Sequence, residues 1–408
     1  MEKISPRISI KDLIEKYPMV IDIFRMCGFN LKNQDDLLNK FGERTMLQTV
    51  LKVRKLNIKS FIDIVESKIN EKEVMSDFSI KTMAEGDNLN LLGYVPVPIK
   101  RALKENLDKL IYRYKEKKGK ILKCYVPCGH SQDQRYLSMW EVKDINEFPD
   151  VLITFGFESY FNREFFYNLV EKGYFKCAWH GAHINKDFSG IECGYNEGGY
   201  TMYSVSPYIL LVDKKKIGSL DVPKIWSDLF KVEYKNNIIV EGRKDFISST
   251  ILHYIYKDYG EEGIRKLASN VKDVWAPAKM ARSAGTPNSD GAAIYIMPWF
   301  FAKCCSGKDD TFIVWPEDGA FIYPLYMLIK KSKWDELHEI VKLITGKEFG
   351  GECAEGCCPS LNPCVDNELP KNAKFKWIGW NYIKSNDMCK LKNYLNSIFV
   401  NSINSNTF

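Results

Sequence analysis

The sequence contains no run of about 18 uninterrupted apolar residues, so it predicts no membrane-spanning helix. It has no basic block longer than 214–216, and its net charge of +6 is spread over 408 residues. This distribution does not favour a nucleic-acid-binding protein. Walker loops, dinucleotide fingerprints, nucleophile elbows and zinc-protease motifs are also missing, which removes the commonest enzyme signatures.

The first residues, Met1–Arg7, show neither the apolar segment nor the small-residue cleavage site of a secretory signal. The chain has twelve cysteines. Together, these observations predict a reducing, cytoplasmic location in which thiols stay free or hold metal. A disulfide framework fits poorly with a chain of this length.

The length predicts two or three domains, and changes in residue pattern predict their boundaries. Residues 1–74 have the spacing of a small helical module, with Ser9 and Asp12 at the start of its first helix. Residues 75–119 form a linker and a connecting amphipathic helix that starts at Pro98 and ends at Gly119. From Lys120 onward, strands and helices alternate, which predicts an α/β fold with a parallel sheet.

Ligands of parallel sheets bind beyond the carboxyl ends of the strands. The loops after the runs 121–126 and 151–155 therefore contain candidate cleft residues: Ser131, Glu158 and Tyr160. A polar loop, Ser283–Gly291, offers backbone N–H groups that suit an anion, and its candidates are Ser283, Gly285 and Thr286. A plain loop is the alternative interpretation of the same residues.

Five segments in order resemble the type II periplasmic solute-binding proteins, in the branch that includes ferric-ion binders. They lie at 203–240, 259–271, 294–302, 315–331 and 359–370. The resemblance covers about 120–400 and implies a two-lobed α/β fold with a hinged cleft. One lobe would combine 120–205 with 313–408, and the other would be 206–312.

The resemblance also implies positions for the hinge and for further ligand contacts. Trp315–Ala320 would be the second crossing between the lobes, where Glu317 either faces the ligand or, with Asp318, fixes the hinge. Tyr203 lies in a group of tyrosines near the first crossing, with Tyr195, Tyr200 and Tyr208, and Trp299 lies in the segment 294–302. Tyrosines bind iron in the ferric-binding relatives, but their adjacent tyrosine pair is missing here, which argues against simple ferric-ion binding.

The segments 8–29 and 45–69 resemble a small helical domain of unknown function that occurs beside hybrid-cluster and other redox proteins of anaerobes. This resemblance implies a redox or metal-delivery partner for the module, and it makes Cys27 a redox or metal candidate. A buried thiol is the alternative for Cys27.

Cysteine and histidine clusters supply the candidate metal ligands. Soft thiolates select iron–sulfur clusters, zinc or copper(I), although the spacing of the densest group is not that of a ferredoxin or a zinc ribbon. Small buried side chains are the alternative for part of the set. The candidates are Cys353, Cys357, Cys358 and Cys364, then Cys177, His180, His183 and Cys193, and finally Cys128 and His130 in the predicted cleft.

The sequence therefore predicts a cytoplasmic, cysteine-rich solute-binding-type protein that is more consistent with binding than with turnover. Its cleft would hold iron or zinc, a metal complex or an iron–sulfur cluster between cysteines and histidines. One alternative is a redox or thiol-dependent enzyme that uses Cys128 and His130 or the 353–364 loop. Another is a binder of a small oxyanion at the Ser283–Gly291 loop.

Overall fold

A computed structural model describes residues 4–18, 20–26, 31, 34–53, 58, 61–62, 65, 79–83, 88–127, 134–179, 184–192, 198–243 and 245–405. The chain divides into two compact units, 1–76 and 77–408. None of the helices in these described residues has the length and apolar character needed to cross a bilayer.

The N-terminal unit is helical: α1 (Ile10–Lys16), α2 (Val20–Met26), α3 (Gln34–Phe41) and α4 (Leu47–Val53). The Ser9 side chain accepts a hydrogen bond from the backbone N–H of Asp12 at 3.0 Å, which confirms the predicted start of α1. Helical spacing places apolar side chains on one face of each helix, and these faces form the core of the unit. Its members include Ile10, Leu13, Phe24, Leu47 and Val50.

The larger unit is a mixed α/β structure. Its helices are α5 (Lys100–Lys118), α6 (Gln134–Leu137), α7 (Arg163–Phe165), α8 (Lys214–Ile217), α9 (Ser249–Asn270), α10 (Pro277–Ser283), α11 (Trp299–Lys303), α12 (His338–Thr345), α13 (Lys347–Glu355), α14 (Trp380–Ser385) and α15 (Met388–Ser405). Its strands are β1 (Ile80–Lys81), β2 (Leu91–Gly93), β3 (Cys124–Val126), β4 (Val151–Phe155), β5 (Thr201–Asp213), β6 (Ile238–Arg243), β7 (Phe246–Ile247), β8 (Val271–Trp275), β9 (Ile294–Pro298), β10 (Thr311–Val314), β11 (Ala320–Ile329) and β12 (Phe375–Lys376).

Two groups of parallel strands match the predicted alternation of strands and helices. In the first group β2 lies between β3 and β4, and in the second β6 lies between β8 and β9. The apolar runs of β2, β3, β4, β6 and β9 are buried on both faces, whereas β8 exposes Lys272 and Asp273. Gly119 ends α5 in the left-handed conformation with φ 63°, as predicted, since glycine has no Cβ to strain there.

Two long strands connect the groups, and here the predicted parallel sheet is wrong. Strand β5 pairs antiparallel with β11 over its first half and with β9 and β10 over its second half, while β11 also pairs antiparallel with β4. The directions are opposite because β5 carries the chain into the second group and β11 carries it back. The predicted crossing segment, Trp315–Ala320, is the turn that leads from β10 into β11.

The C-terminal helix α15 packs along α9, which begins immediately after the β6–β7 hairpin. Helix α9 is interrupted at Gly260, whose φ of 63° and ψ of −163° are not helical. This break agrees with the sequence, which predicts a second helix from Gly260. The start of α9 faces the crossing strands, because Ser248 lies against Tyr208 of β5.

Candidate ligand-binding site

Two tyrosines on the crossing strands lie side by side. Tyr208 on β5 pairs with Phe321, and Tyr323 lies two residues further along β11, so both tyrosines share one face of the sheet. Their rings are 6.1 Å apart at 73°. Gly156, with φ 87°, makes room for Tyr323, because a Cβ there would lie 2.8 Å from the Tyr323 hydroxyl. Two phenol groups therefore meet where the chain passes between the strand groups.

Glu241 approaches Tyr208 from strand β6 of the second group. The Tyr208 hydroxyl donates to Glu241 Oε2 and lies 2.9 Å from the Ser248 Oγ at the start of α9. Glu241 is half-buried, and the packing of protein around its carboxyl raises its pKa to about 7, although the bond from Tyr208 acts in the opposite direction. The carboxyl is therefore ready to change its charge near neutral pH.

Glu158 approaches from the first group, in the loop after β4. Its Oε1 accepts from Ser249 Oγ at 2.9 Å, and its Oε2 pairs with Lys392 Nζ of α15 at 2.7 Å. Burial raises the pKa of Tyr323 well above its ordinary value, and the charges of Glu158 and Glu241 raise it further. Both carboxylates thus act on the same phenol, one from each group of strands.

The arrangement combines two carboxyl groups with two phenols, and each of these groups can bind a metal ion through oxygen. Hard metal ions prefer oxygen ligands, and a bound cation lowers the pKa of the groups that bind it. No set of three or more His, Cys, Asp or Glu residues suitable for a metal ion occurs in the described ranges. The site therefore depends on its tyrosines, and we call Glu158, Tyr208, Glu241, Ser249 and Tyr323 the crossing-strand site.

The other predicted ligand residues lie elsewhere. Tyr160 packs against Phe148 and Phe165 in the core, and Tyr203 lies in a separate core cluster, where its hydroxyl has no partner among the described residues. Trp299 is buried with its ring 5.4 Å from that of Trp315. Glu317 has an exposed side chain. Glu158 alone of these five predicted residues is in the crossing-strand site.

The polar loop around Ser283 does bind an anion, but the anion is a carboxylate of the chain itself. The Gly285 N–H donates to Asp213 Oδ2 at 2.9 Å, and Lys216 Nζ bonds both the same Oδ2 at 3.0 Å and the Thr286 carbonyl at 2.9 Å. The Thr286 hydroxyl donates to the Ser283 carbonyl at 2.7 Å. Asp213 is fully buried, so Ser283, Gly285 and Thr286 form a structural loop rather than an open oxyanion site.

Replacing Asp213 with asparagine is expected to lower the free energy of unfolding by about 3–5 kcal/mol, because it leaves the Lys216 ammonium without its buried partner. Urea denaturation followed by circular dichroism measures the change. The matched control is Asp310→Asn, which removes a carboxylate that is 39% exposed and pairs with Lys215 at 2.5 Å. The control should lose no more than about 1 kcal/mol; equal losses in both variants would contradict the assignment.

The four cysteines of the 353–364 loop do not come together. Helix α13 buries Cys353 in the core beside Cys358, the chain reverses at Cys357 with φ 55°, and Cys364 is exposed on the surface. Burial raises the pKa of the Cys353 thiol well above its ordinary value and that of Cys357 to about 11. Close spacing in sequence suggested a metal centre, but the turn after α13 separates the thiols.

Cys177 is buried, and burial raises the pKa of its thiol. Its predicted partners His180, His183 and Cys193 lie outside the described residues, as do Cys27, Tyr195, Cys128, His130 and Ser131. Their predicted roles stay predictions.

Sequence reasoning missed most of the crossing-strand site. In the sequence, Tyr208 is one of several clustered tyrosines, and the predicted ligand residues do not include Tyr323, Glu241 or Ser249. A usable signal was present for Glu241, because it directly follows the apolar run 238–240 and therefore stands near the carboxyl end of a parallel strand. No comparable signal marked Tyr323, whose position depends on the register of β11 against β5.

Comparison with solved structures places this fold among solute-binding proteins. A Trichodesmium protein in complex with iron and citrate is 12% identical, with a TM-score of 0.52, over 78% of this chain and 99% of its own. The ferric-binding protein of Campylobacter jejuni is 14% identical, with a TM-score of 0.53, over 76% and 99%. An ABC transporter protein of Clostridium perfringens is 16% identical, with a TM-score of 0.50, over 77% and 98%. These similarities confirm the predicted two-lobed α/β solute-binding fold.

Comparison with curated protein sequences gave no match. The model of one protein family, described as bacterial extracellular solute-binding proteins, matches residues 146–386, which is more than half of the chain. The matched region contains Glu158, both crossing tyrosines and Glu241. By this match, the chain belongs to the family of bacterial extracellular solute-binding proteins.

Proposed function

We propose that this chain binds ferric iron, alone or as a complex with a small anion, in the crossing-strand site. The observation that carries the proposal is the convergence of two phenols and two carboxyl groups from both strand groups. Phenolate and carboxylate oxygens are hard ligands, which suit a highly charged ion such as Fe³⁺. Solved structures of similar fold include proteins described as ferric-binding or as complexed with iron and citrate, which supports the same ligand.

Charge balance at the site is consistent with a cationic ligand. Glu241 and Tyr208 share a proton-bearing hydrogen bond, and the pKa of the phenol is raised well above its ordinary value by burial, followed by the charge of Glu241. A metal ion would displace such protons, since metal ligands must be deprotonated. Lys392 forms an ion pair with one carboxylate oxygen of Glu158 in the structure. Metal binding by Glu158 would therefore require this ion pair to break or to lengthen.

Iron delivered as ferric nitrilotriacetate to the metal-free full chain tests the proposal. The wild type should develop the visible absorption band of phenolate bound to Fe³⁺, whereas Tyr208→Phe and Glu241→Gln should bind about tenfold more weakly or worse. The matched control is Tyr234→Phe, because Tyr234 is buried and its hydroxyl donates to the Asp221 carbonyl at 2.6 Å. Thermal unfolding of each variant separates loss of ligand from loss of fold.

Two results would contradict ferric binding. One is a wild type that binds no iron and shows no absorption band. The other is equal iron affinity in wild type, Tyr208→Phe and Glu241→Gln, since iron would then bind elsewhere. Zinc titrated in parallel serves as a softer ion that the oxygen-rich site should bind less tightly.

The finer parts of the predicted function also remain proposals. A cysteine- and histidine-lined cleft would draw on Cys128, His130, His180 and His183, and an iron–sulfur cluster or zinc would need such ligands. A cytoplasmic location would make the chain a sensor, store or carrier of metal inside the cell, with a redox or metal-delivery partner at the helical module. Metal and sulfide analysis after anaerobic purification tests the cluster, because a colourless, sulfide-free protein would contradict it.

A further inference from the structure

A groove lies at the other end of the first strand group, away from the crossing-strand site. It encloses about 1240 Å³ and lies between the end of α5, the residues just before β4 and the residues just after β11. Small-molecule sites in proteins typically enclose about 300–1,000 Å³, so this groove is large enough for a small ligand and its hydration. Asp150 borders the groove before β4, while Glu158 follows β4. A five-residue strand spans roughly 17 Å, which separates the groove from the crossing-strand site.

The groove is strongly basic. Five lysines line it against two carboxylates, which leaves a net charge of +3: Lys120, Lys123, Lys330, Lys331 and Lys333 face Asp150 and Glu336. These lysines come from two distant parts of the sequence, 120–123 and 330–333, so the fold brings their charges together. Concave walls with one sign of charge concentrate the field and attract ions of the opposite sign.

Both carboxylates of the groove are already paired. Asp150 bonds Lys330 Nζ at 3.3 Å and Asn90 Nδ2 at 3.0 Å, and Glu336 bonds Lys333 Nζ at 2.8 Å. Lys330 is buried, so the Asp150 pair is part of the wall of the groove. The two carboxylates of the groove therefore form ion pairs with two of its five lysines.

Two other lysines have no such partner. Within the described part of the chain, neither Lys120 nor Lys331 has a carboxylate oxygen within ion-pair distance, and both are exposed. Lys331 extends toward Gly173, where an added Cβ would lie 3.5 Å from its Nζ. Lys120 also acts on Glu336 from beyond ion-pair distance and helps to lower its pKa, but Glu336 is already paired with Lys333.

We propose that this groove binds a compact anion with three or more negative charges, of the class that carries several phosphate or carboxylate groups. Two of its anionic groups would bind the ammonium groups of Lys120 and Lys331, since lysine binds phosphate and carboxylate as a mobile point charge. Ser332 and Asn146 border the groove and supply neutral donors for the remaining oxygens. This site is separate from the proposed iron site and does not depend on it.

Isothermal titration of the metal-free full chain with inorganic pyrophosphate tests the proposal, and citrate in a parallel titration distinguishes phosphate from carboxylate. The wild type should bind at least one of these anions, and the one it binds more tightly identifies the source. Lys120→Gln with Lys331→Gln should weaken binding about tenfold or more. Raising the salt concentration should also weaken binding, because exposed charges are screened.

Two control variants make the result specific. Lys235→Gln with Lys308→Gln removes the same amount of charge from exposed lysines elsewhere and should leave the affinity unchanged. Tyr208→Phe alters the crossing-strand site and should also leave it unchanged. No binding of either anion, equal weakening by both lysine pairs, or loss of binding in Tyr208→Phe would each overturn the proposal.

Discussion

Replacing Trp226 with alanine is expected to lower the free energy of unfolding of the larger unit by about 3–5 kcal/mol. Trp226 is fully buried, and its ring stacks on Phe321 with centroids 3.7 Å apart at 14°. Its Nε1 donates to the Gly319 carbonyl at 2.8 Å. Phe321 stacks in turn on Tyr254 at 4.5 Å, so the substitution leaves a cavity beside the strand that returns between the two groups.

The measurement is urea denaturation followed by far-ultraviolet circular dichroism, which does not depend on tryptophan fluorescence. Trp226→Phe is the matched variant, because it keeps an aromatic ring in the stack and loses only the indole hydrogen bond and part of the volume. We expect it to retain more than half of the stability that alanine loses. A loss below about 1 kcal/mol in Trp226→Ala would contradict the role given to this residue.

The position of Trp226 also explains how the Trp315–Ala320 turn is held. The Trp226 backbone N–H donates to Asp318 Oδ1 at 3.3 Å, and Lys376 pairs with Asp318 at 3.5 Å and with Asp258 at 2.6 Å. The adjacent Glu317 contributes its backbone N–H to the Lys224 carbonyl at 2.9 Å. Asp318 thus fixes the turn before β11, while the Glu317 side chain remains exposed.

Much of the fold was predictable because local signals and long-range packing agree. The Ser9 cap, the Gly119 terminus and the break at Gly260 each depend on neighbouring residues, so their residue types are sufficient to locate them. The ordered segments that resemble solute-binding proteins supplied the connectivity. The antiparallel direction of β5 and β11 was missed because alternating strands and helices favour a parallel sheet, and crossing strands are an exception to that pattern.

The site was far less predictable, because its members are distant in sequence. The register of two long strands brings Tyr323 beside Tyr208, and the hairpin after β6 then places Ser248 near them. The polar loop at 283–291 had the correct chemistry for an anion, but its anion is Asp213, which is 72 residues from Gly285. Residue type therefore indicated the chemistry, while only the tertiary fold indicates which partners meet.

We expect low pH to destabilise the folded protein through protonation of His253. His253 is fully buried on α9, with its ring 6.1 Å from Phe157 and 6.5 Å from Tyr382. In the described part of the chain neither of its ring nitrogens has a hydrogen-bond partner. Burial, together with the nearby positive charge of Lys392, lowers its pKa to about 3. The folded protein therefore holds this imidazole neutral at pH values where a solvent-exposed imidazole is charged.

The direction of the pH effect follows from proton binding. The unfolded chain protonates His253 near pH 6.5, while the folded chain does so only near pH 3, so between these values the unfolded state binds more protons. The contribution of His253 to the free energy of unfolding is fully present above pH 6.5 and is lost as the pH falls toward 3. Each pH unit in that window costs about 1.4 kcal/mol, which gives a total of about 4–5 kcal/mol.

Glu241 provides an internal control of opposite sign. Its folded pKa is raised from 4.5 to about 7, so the folded state binds more protons between these values and loses stability as the pH rises through them. Glu241→Gln should therefore steepen the gain in stability between pH 4.5 and 7. His253→Phe should flatten that gain, because it removes the imidazole whose protonation at low pH favours the unfolded state.

The comparison requires urea denaturation of wild type, His253→Phe and Glu241→Gln at several pH values from 3.5 to 7.5. We expect His253→Phe to match or exceed wild-type stability at pH 4 even if repacking against Phe157 costs some stability at pH 7. The difference between the two pH values cancels that repacking term, since it does not depend on protonation. Parallel pH profiles for wild type and His253→Phe would show that the buried imidazole is protonated in the folded protein, and the assignment would then be wrong.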